Sequence, residues 1–265
     1  MLQKERRLQI VSMLQANGVV RLKDLREQFA VSDDSIRKDL DVLEEQGLLE
    51  RTYGGAVAKK DALCMLSATL KKGKDVSATR QLALAAANII GTQDMVFLDV
   101  STSNLAIAEL LAKSDRELTV ATNMIDILAV LAKNPRLRVI FAGGVLNKRR
   151  DGFWGPMTAD FIAKLKPDIA FVGAVSVSVA KNSVATYDVE DGLSKAAIIK
   201  LAKRAYVVAT TEKLNGSEGN YNYAALTDFT GIVTDAAPSA AFDRAARQMG
   251  VSLLFPQVEG ADNES

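Results

Sequence analysis

The chain has 265 residues, 25% of them charged and 48% hydrophobic, with 33 Lys and Arg against 32 Asp and Glu for a formal net charge of +1. That length allows one small domain and one of about 200 residues with a substantial buried core, and the near-neutral balance leaves no acidic or basic tail to direct the reading. No apolar run approaches the roughly 20 residues needed to span a bilayer, the charged N-terminus lacks a signal-peptide core, and the single cysteine, Cys64, excludes an internal disulfide and a cysteine-cluster metal site.

Reduced thiol chemistry and the absence of an export signal make a cytoplasmic protein the expectation. Ile10, Met13 and Leu14 form one apolar helical face. After the break at Asn17-Gly18, Leu22, Leu25 and Phe29 form a second at i, i+3, i+7, and Ile36, Leu40 and Leu43 repeat the spacing in a third helix. Ser32 is placed to cap that third helix, Asp33 and Asp34 sit where its dipole favours negative charge, and Gly47 ends it. Three short helices with a tight turn at Ala30-Val31 predict a helix-turn-helix whose third helix offers its N-terminal polar residues to base edges in the major groove. Ser32, Ser35, Arg37 and Lys38 are the candidates.

Leu48 to Tyr53 then reads as a strand, Gly54-Gly55 as a turn permitting positive φ, and Ala56 to Ala58 as the return strand of a small wing. Arg51, Tyr53, Gly54 and Gly55 are placed to flank a sugar-phosphate backbone. The competing reading is a small structural domain with Arg37 and Lys38 on a solvated face. Bulk charge does not decide between them, since residues 1–60 hold eleven Lys or Arg against ten Asp or Glu. A weak field suits a protomer that needs a second copy to grip two half-sites of a double-stranded operator.

The run from Arg6 to Ala56, with Val-Ser, Ile-Arg-Lys-Asp-Leu, Gly and Arg-Thr-Tyr-Gly-Gly-Ala in order, resembles the N-terminal signature of the DeoR family of bacterial transcription regulators. Tyr53 stands where the family commonly has a histidine. The resemblance implies a winged helix-turn-helix over residues 1–58.

From Lys59 to about Thr79 the chain is polar and basic, with Lys71, Lys72, Gly73 and Lys74, and reads as an interdomain linker. Beyond Leu82, short apolar runs alternate with amphipathic ones: VFLDV at Val96, LTVAT at Leu118, LRVIFAGG at Leu137, IAFVGAV at Ile169, YVVAT at Tyr206, GIVTD at Gly231 and VSLLF at Val251. Strands buried on both faces and joined through helices predict an open, mainly parallel α/β sheet over residues 80–255. Residues 256–265 read as a polar, disordered tail.

In such a sheet, ligands collect at the C-terminal strand ends, where helix N-termini present free N–H groups to anions. The first such end is Asp99-Val100-Ser101-Thr102-Ser103, whose hydroxyls either cradle a phosphate or simply cap the next helix. Thr122-Asn123 follows the next strand and Gly143-Gly144 the one after, the glycines allowing close backbone approach.

This region also resembles the DeoR family, whose C-terminal domain is similar in fold to ribose-5-phosphate isomerase and senses phosphorylated sugars or related metabolites. Positions matching the family are Asp99, Thr102, Ser103, Asn123, Gly143, Gly144, Gly155, Gly173, Lys195 and Lys213. They imply a phosphate held at Ser101 to Ser103, with Lys195 or Lys213 near the sugar or phosphate. Departures are Ser101 for a glycine, Val175-Ser176 for Asp-Gly, Val189 for a glutamate with Glu190 adjacent, and Thr210 for an aspartate. A carboxylate accepts hydroxyl hydrogen bonds worth about 1.5 to 3 kcal/mol each in charge-assisted form, so Val175 is no substitute and a different effector is expected. Arg149, Arg150, Phe153 and Trp154 are candidates for replacement contacts, Trp154 equally for core or an oligomer contact.

The resemblance therefore implies a ligand-controlled repressor of a sugar or sugar-alcohol operon, working as a dimer or tetramer, without cofactor, metal or membrane. The alternative is a constitutive DNA-binding protein whose second domain only mediates assembly. An enzyme is not expected: the chain has no histidine, an isomerase's carboxylates look replaced, and Lys195 reads as a surface or phosphate-binding lysine rather than a Schiff-base former.

Overall fold

The computed structural model describes residues 3–45, 49–58, 76–147 and 151–256. Gly47, Cys64, the lysines of the expected linker, Arg149, Arg150 and the tail beyond Pro256 lie outside them. The chain divides into two compact units, Met1–Asp75 and Val76–Ser265.

In the first unit α1 (Gln3–Asn17), β1 (Val19–Arg21), α2 (Leu22–Phe29), α3 (Asp33–Glu45), β2 (Leu49–Thr52) and β3 (Gly55–Ala58) follow in order. Ile10, Leu14, Leu25, Phe29, Ile36, Leu40 and Leu43 meet in one core, as their helical spacing predicts. Ala30, in the left-handed conformation at φ 51°, ends α2 and makes the tight turn into α3. The third strand of the wing was not expected: β1 pairs antiparallel with β3, which pairs with β2. Three residues are too short to show a period, and β1 is recognisable only through its partner.

The turn also differs from expectation. Its residues are Tyr53 and Gly54, and neither Gly54 nor Gly55 adopts a left-handed φ. Gly55 is needed for room instead, because a Cβ there would lie 1.9 Å from the Val20 carbonyl oxygen across the sheet.

The second unit opens with α4 (Val76–Asn88), so the last four residues of the expected linker are helical. Then come β4 (Met95–Leu98), α5 (Thr102–Leu111), β5 (Thr119–Thr122), α6 (Ile125–Leu131), β6 (Arg138–Phe141), β7 (Val145–Leu146), β8 (Phe153–Trp154), α7 (Pro156–Ile162) and β9 (Ile169–Gly173). The chain continues through β10 (Ser176–Ser178), β11 (Ser183–Thr186), α8 (Val189–Leu201), β12 (Arg204–Val208), β13 (Tyr221–Ala224), β14 (Gly231–Val233), α9 (Ala240–Gln248) and β15 (Ser252–Leu254).

The seven apolar runs form one sheet in the order β15-β14-β12-β9-β4-β5-β6, with every pairing parallel. Alternation explains the two cores. Val96, Leu98 and Phe171 face the layer of α4, α5 and α6, whereas Phe97, Ala170 and Val172 face the layer holding Ile162, Ile198 and Phe242. Two smaller elements were not foreseen: the antiparallel sheet β10-β11-β13 and the hairpin β7-β8.

From the centre the strand order runs one way through β4, β5 and β6 and the other way through β9, β12, β14 and β15. The direction reverses between β4 and β9. Loops leaving those two strands diverge there, opening a crevice at the sheet's carboxyl edge. No helix among the described residues is long and apolar enough to cross a membrane.

Candidate DNA-reading surface and effector cleft

Ser32 sits just before α3 and its hydroxyl accepts the Ser35 N–H at 3.3 Å, while its carbonyl accepts from Ser35 and Ile36. The Ser32 and Ser35 hydroxyls also lie within 3.0 Å of each other. Arg37 and Lys38 are exposed, and Lys38 makes an i,i+4 pair with Asp34 at 3.1 Å. A pair this exposed contributes little to stability, so Lys38 can exchange Asp34 for a phosphate at small cost.

Arg51 is more committed. Its guanidinium pairs with Asp41, a second hydrogen bond reaches the Arg37 carbonyl at 3.5 Å, and its backbone N–H donates to Glu44 at 2.8 Å. Arg51 thereby ties the wing to α3. Tyr53 is fully exposed at the wing tip and Gly54 is exposed beside it, but Gly55 is buried beneath β1.

What holds α3 in place is Asp39, within the Ile-Arg-Lys-Asp-Leu run. It is fully buried and accepts from Arg6 Nε at 2.5 Å and Arg7 Nε at 2.8 Å, both from α1. Within the Ile-Arg-Lys-Asp-Leu run, Arg37 and Lys38 face solvent while Ile36, Asp39 and Leu40 face the core, as helical geometry requires.

In the second unit, Asp99 leaves β4 at the point where the strand order reverses. Both its oxygens accept the Gly173 N–H, at 3.1 and 3.0 Å, and Asn104 Nδ2 donates to it at 2.5 Å. Gly173 is required at that position, since a Cβ would fall 2.4 Å from Ser101 Cβ. Lys195 comes from α8 to pair with Asp99 and, at 3.0 Å, with Asp191. Thr186 donates to Asp191 at 2.6 Å, and the Tyr223 hydroxyl donates to the Gly173 carbonyl at 2.9 Å.

This network is buried. Burial disfavours the Lys195 ammonium, but Asp191 and Asp99 outweigh it and hold the lysine above its ordinary value. Burial pushes the Asp191 carboxyl up, against the pull of Lys195, and pushes the Tyr223 phenol well up, with Asp99 and Asp191 adding to the effect. The expectation of a surface Lys195 is corrected: it is 3% exposed, and Asp99 and Asp191 are its charge partners. A lysine held protonated is also not a Schiff-base nucleophile.

Beside the network lies a cleft with about 30 Å³ of water-sized interior space, lined by Val100, Asp151, Trp154, Thr186, Asp188 and Asp191. Asp188 is exposed and caps α8 by accepting from Glu190 and Asp191 N–H groups at 2.8 and 3.2 Å. Asn147 Nδ2 donates to Asp151 at 2.6 Å. Trp154 is buried on β8 and forms part of the wall. The cleft thus carries three carboxylates beside an aromatic ring, although Val175, Val189 and Thr210 supply none.

The remaining candidates fall around this centre. Ser101 caps α5 through the Asn104 N–H at 3.2 Å, Thr102 is exposed, and Ser103 is buried. Asn123 is buried, donates to the Phe153 carbonyl at 2.8 Å and has a side-chain oxygen without a partner among the described residues. Gly144 permits close approach, but to the protein's own Thr158, whose hydroxyl donates to the Gly143 carbonyl at 3.1 Å. Lys213 lies in the short turn after β12, outside the cleft lining. Asp188 and Asp191 lie on either side of the exposed Val189 and of Glu190, and in the sequence they read only as acidic residues at a helix start.

Comparisons with known proteins cover the whole of this architecture. The DeoR-like helix-turn-helix domain matches residues 6–62 and the DeoR C terminal sensor domain matches residues 74–236. The HTH-type transcriptional repressor GlcR of Bacillus subtilis is 31% identical over 99% of this chain and 100% of its own length. The glycerol-3-phosphate regulon repressor of Escherichia coli is 28% identical over 90% of this chain and 93% of its own. Among solved structures, ribose 5 phosphate isomerase A from Neisseria gonorrhoeae aligns with a TM-score of 0.38 at 13% identity, covering 51% of this chain and 52% of that one. The chain belongs to the DeoR family of DNA-binding transcriptional repressors, and is a regulator rather than an enzyme.

Proposed function

We propose that the chain represses a sugar or sugar-alcohol catabolic operon and that a phosphorylated sugar or polyol, bound across the cleft at the β4/β9 reversal, releases that repression. Ser35, Arg37 and Lys38 on α3, with Ser32 just before it, read the operator, and Tyr53 and Gly54 lie at the backbone. Arg51 acts by holding the wing to α3, and Gly55 by letting the wing close.

The observation that carries the effector half is the juxtaposition of Asp151, Asp188 and Asp191 with Trp154 in one cleft whose lining includes Val100, two residues before α5. Ionised carboxylates accept hydroxyl hydrogen bonds and an aromatic face packs on the C–H side of a sugar ring. The first-turn N–H groups of α5, with Ser101 and Thr102, suit a phosphate because they lack intrahelical acceptors. The homologous GlcR and glycerol-3-phosphate regulon repressors support the same class of regulation.

One observation favours a second reading, a constitutive repressor whose sensor unit only mediates assembly. Lys195 is saturated by Asp99 and Asp191, which leaves the cleft without that cation for an anionic ligand.

Thermal unfolding against millimolar phosphorylated and unphosphorylated sugars and polyols separates the two. A ligand at 100 times its dissociation constant adds about 2.7 kcal/mol, a shift of several degrees for a unit of this size. The sensor reading expects a phosphorylated compound to raise the midpoint, and Asp188→Asn, which keeps a capping residue, to abolish that rise. A broad panel without any shift establishes the ligand-free reading instead.

A further inference from the structure

The helix that borders the cleft has a second face. On α8, Asp191, Ser194, Lys195 and Ile198 are buried, whereas Val189 and Leu193 are 53% and 56% exposed. At 100° per residue, Val189, Leu193, Ala196 and Lys200 fall within an arc of about 60°, roughly opposite Asp191 and Lys195. The neighbouring helix α7, packed against α8, exposes its own i,i+4 pair, Met157 and Phe161. Four of the eight large hydrophobics exposed among the described residues thus belong to two adjacent helices, a concentration that marks an interaction surface rather than scattered exposure.

The ends of α8 indicate what covers it. Asp188 and Glu190 are exposed at its N-terminus and Lys200 is exposed at its C-terminal turn. A twofold axis crossing α8 near residues 194 and 195 lays the helix antiparallel on its own copy. Glu190 then meets Lys200 of the second copy, and Leu193 lies over Ala196 of the second copy, a large residue against a small one. The face is complementary to itself in charge and in volume, as an isologous contact requires.

We propose that the exposed face of α7 and α8 is the surface through which two copies of this chain associate, with α8 packed antiparallel on its copy. The inference rests on the DNA-binding reading only for the expectation that two recognition helices act together. Its test contains no DNA and no effector, so its failure and that of the functional reading are distinguishable.

Sedimentation velocity of the full chain at micromolar concentration is the experiment, with circular dichroism and thermal midpoint as the check on folding. The wild type is expected to sediment as a dimer or larger, and Leu193→Glu and Phe161→Glu as smaller species of unchanged helicity. Glu190→Lys and Lys200→Glu are each expected to weaken association at least tenfold, and the double exchange to restore it. A wild type monomeric throughout, or a folded Leu193→Glu protein of wild-type size, overturns the proposal. Should Leu193→Glu fail to fold, the charge exchange decides, and a double variant no stronger than either single one overturns it equally.

Discussion

Lys195→Met is expected to cost the sensor unit about 3–5 kcal/mol, because the methionine leaves Asp99 and Asp191 buried side by side without their cation. For a unit of this size that is a fall of roughly 10 °C in thermal midpoint. The pH dependence gives the result its signature. In the wild type Lys195 is raised above 10.5, so its contribution is complete below that pH and is lost as pH climbs through the higher folded value. Asp191 is raised above 3.8, and a raised carboxylate contributes stability below that pH that is lost as pH rises through its folded value. Without the ammonium Asp191 loses the pull that opposes its burial and resists ionisation further, so the deficit of the variant should narrow as the solution is acidified. A variant as stable as the wild type at neutral pH, or one whose deficit ignores pH, contradicts this account of the network.

Asp39→Ala should unfold or nearly unfold the DNA-binding unit. The substitution strands the buried Arg6 guanidinium and loosens Arg7, and breaking a buried pair in this way costs about 3–5 kcal/mol. A unit of this length holds a total of about 4 to 11 kcal/mol. Two variants from one motif therefore separate by mechanism. Asp39→Ala loses operator binding together with an unfolding transition, whereas Arg37→Ala keeps the transition and loses operator binding through missing contacts. Unchanged operator affinity in Arg37→Ala removes that residue from the recognition surface, and an unchanged transition in Asp39→Ala removes the pair as the strut between α1 and α3.

The elements that were legible in the sequence are those with a helical period or an unbroken apolar run. Leu22, Leu25 and Phe29 announce α2, and the unbroken run from Ile169 to Val172 announces a strand covered on both faces. β1, β7, β8 and β10 were not legible, because each pairs antiparallel outside the large sheet and lacks the helix-spaced apolar run that marks the equally short β14 and β15. Val76 to Thr79 read as linker because the apolar face of α4 begins only at Leu82.

The sites divide similarly. Asp99 and the hydroxyls after it were legible as candidates because they follow a strand end. Asp39 with Arg6 spans 33 positions, and Lys195 with Asp99 spans 96, and pairing at such separations is a property of packing. The same fact explains the misreading of Lys195, since the exposure of a helical lysine depends on what the sheet brings beneath it. At Gly55 the wing needs space under Val20, not the unusual φ that a paired-glycine turn suggests.

The proposed function requires the cleft and the operator to be coupled through the protein. Fluorescence anisotropy on a labelled fragment of DNA from beside the chain's own gene tests it directly, titrated with and without the metabolite that raises the thermal midpoint. A coupled sensor loses about 5- to 150-fold in operator affinity on adding the compound, the span of a coupling free energy of 1–3 kcal/mol, and Asp188→Asn loses that response while still binding DNA. Operator affinity that stays constant across the whole panel contradicts the account, and makes the second unit a platform for assembly alone.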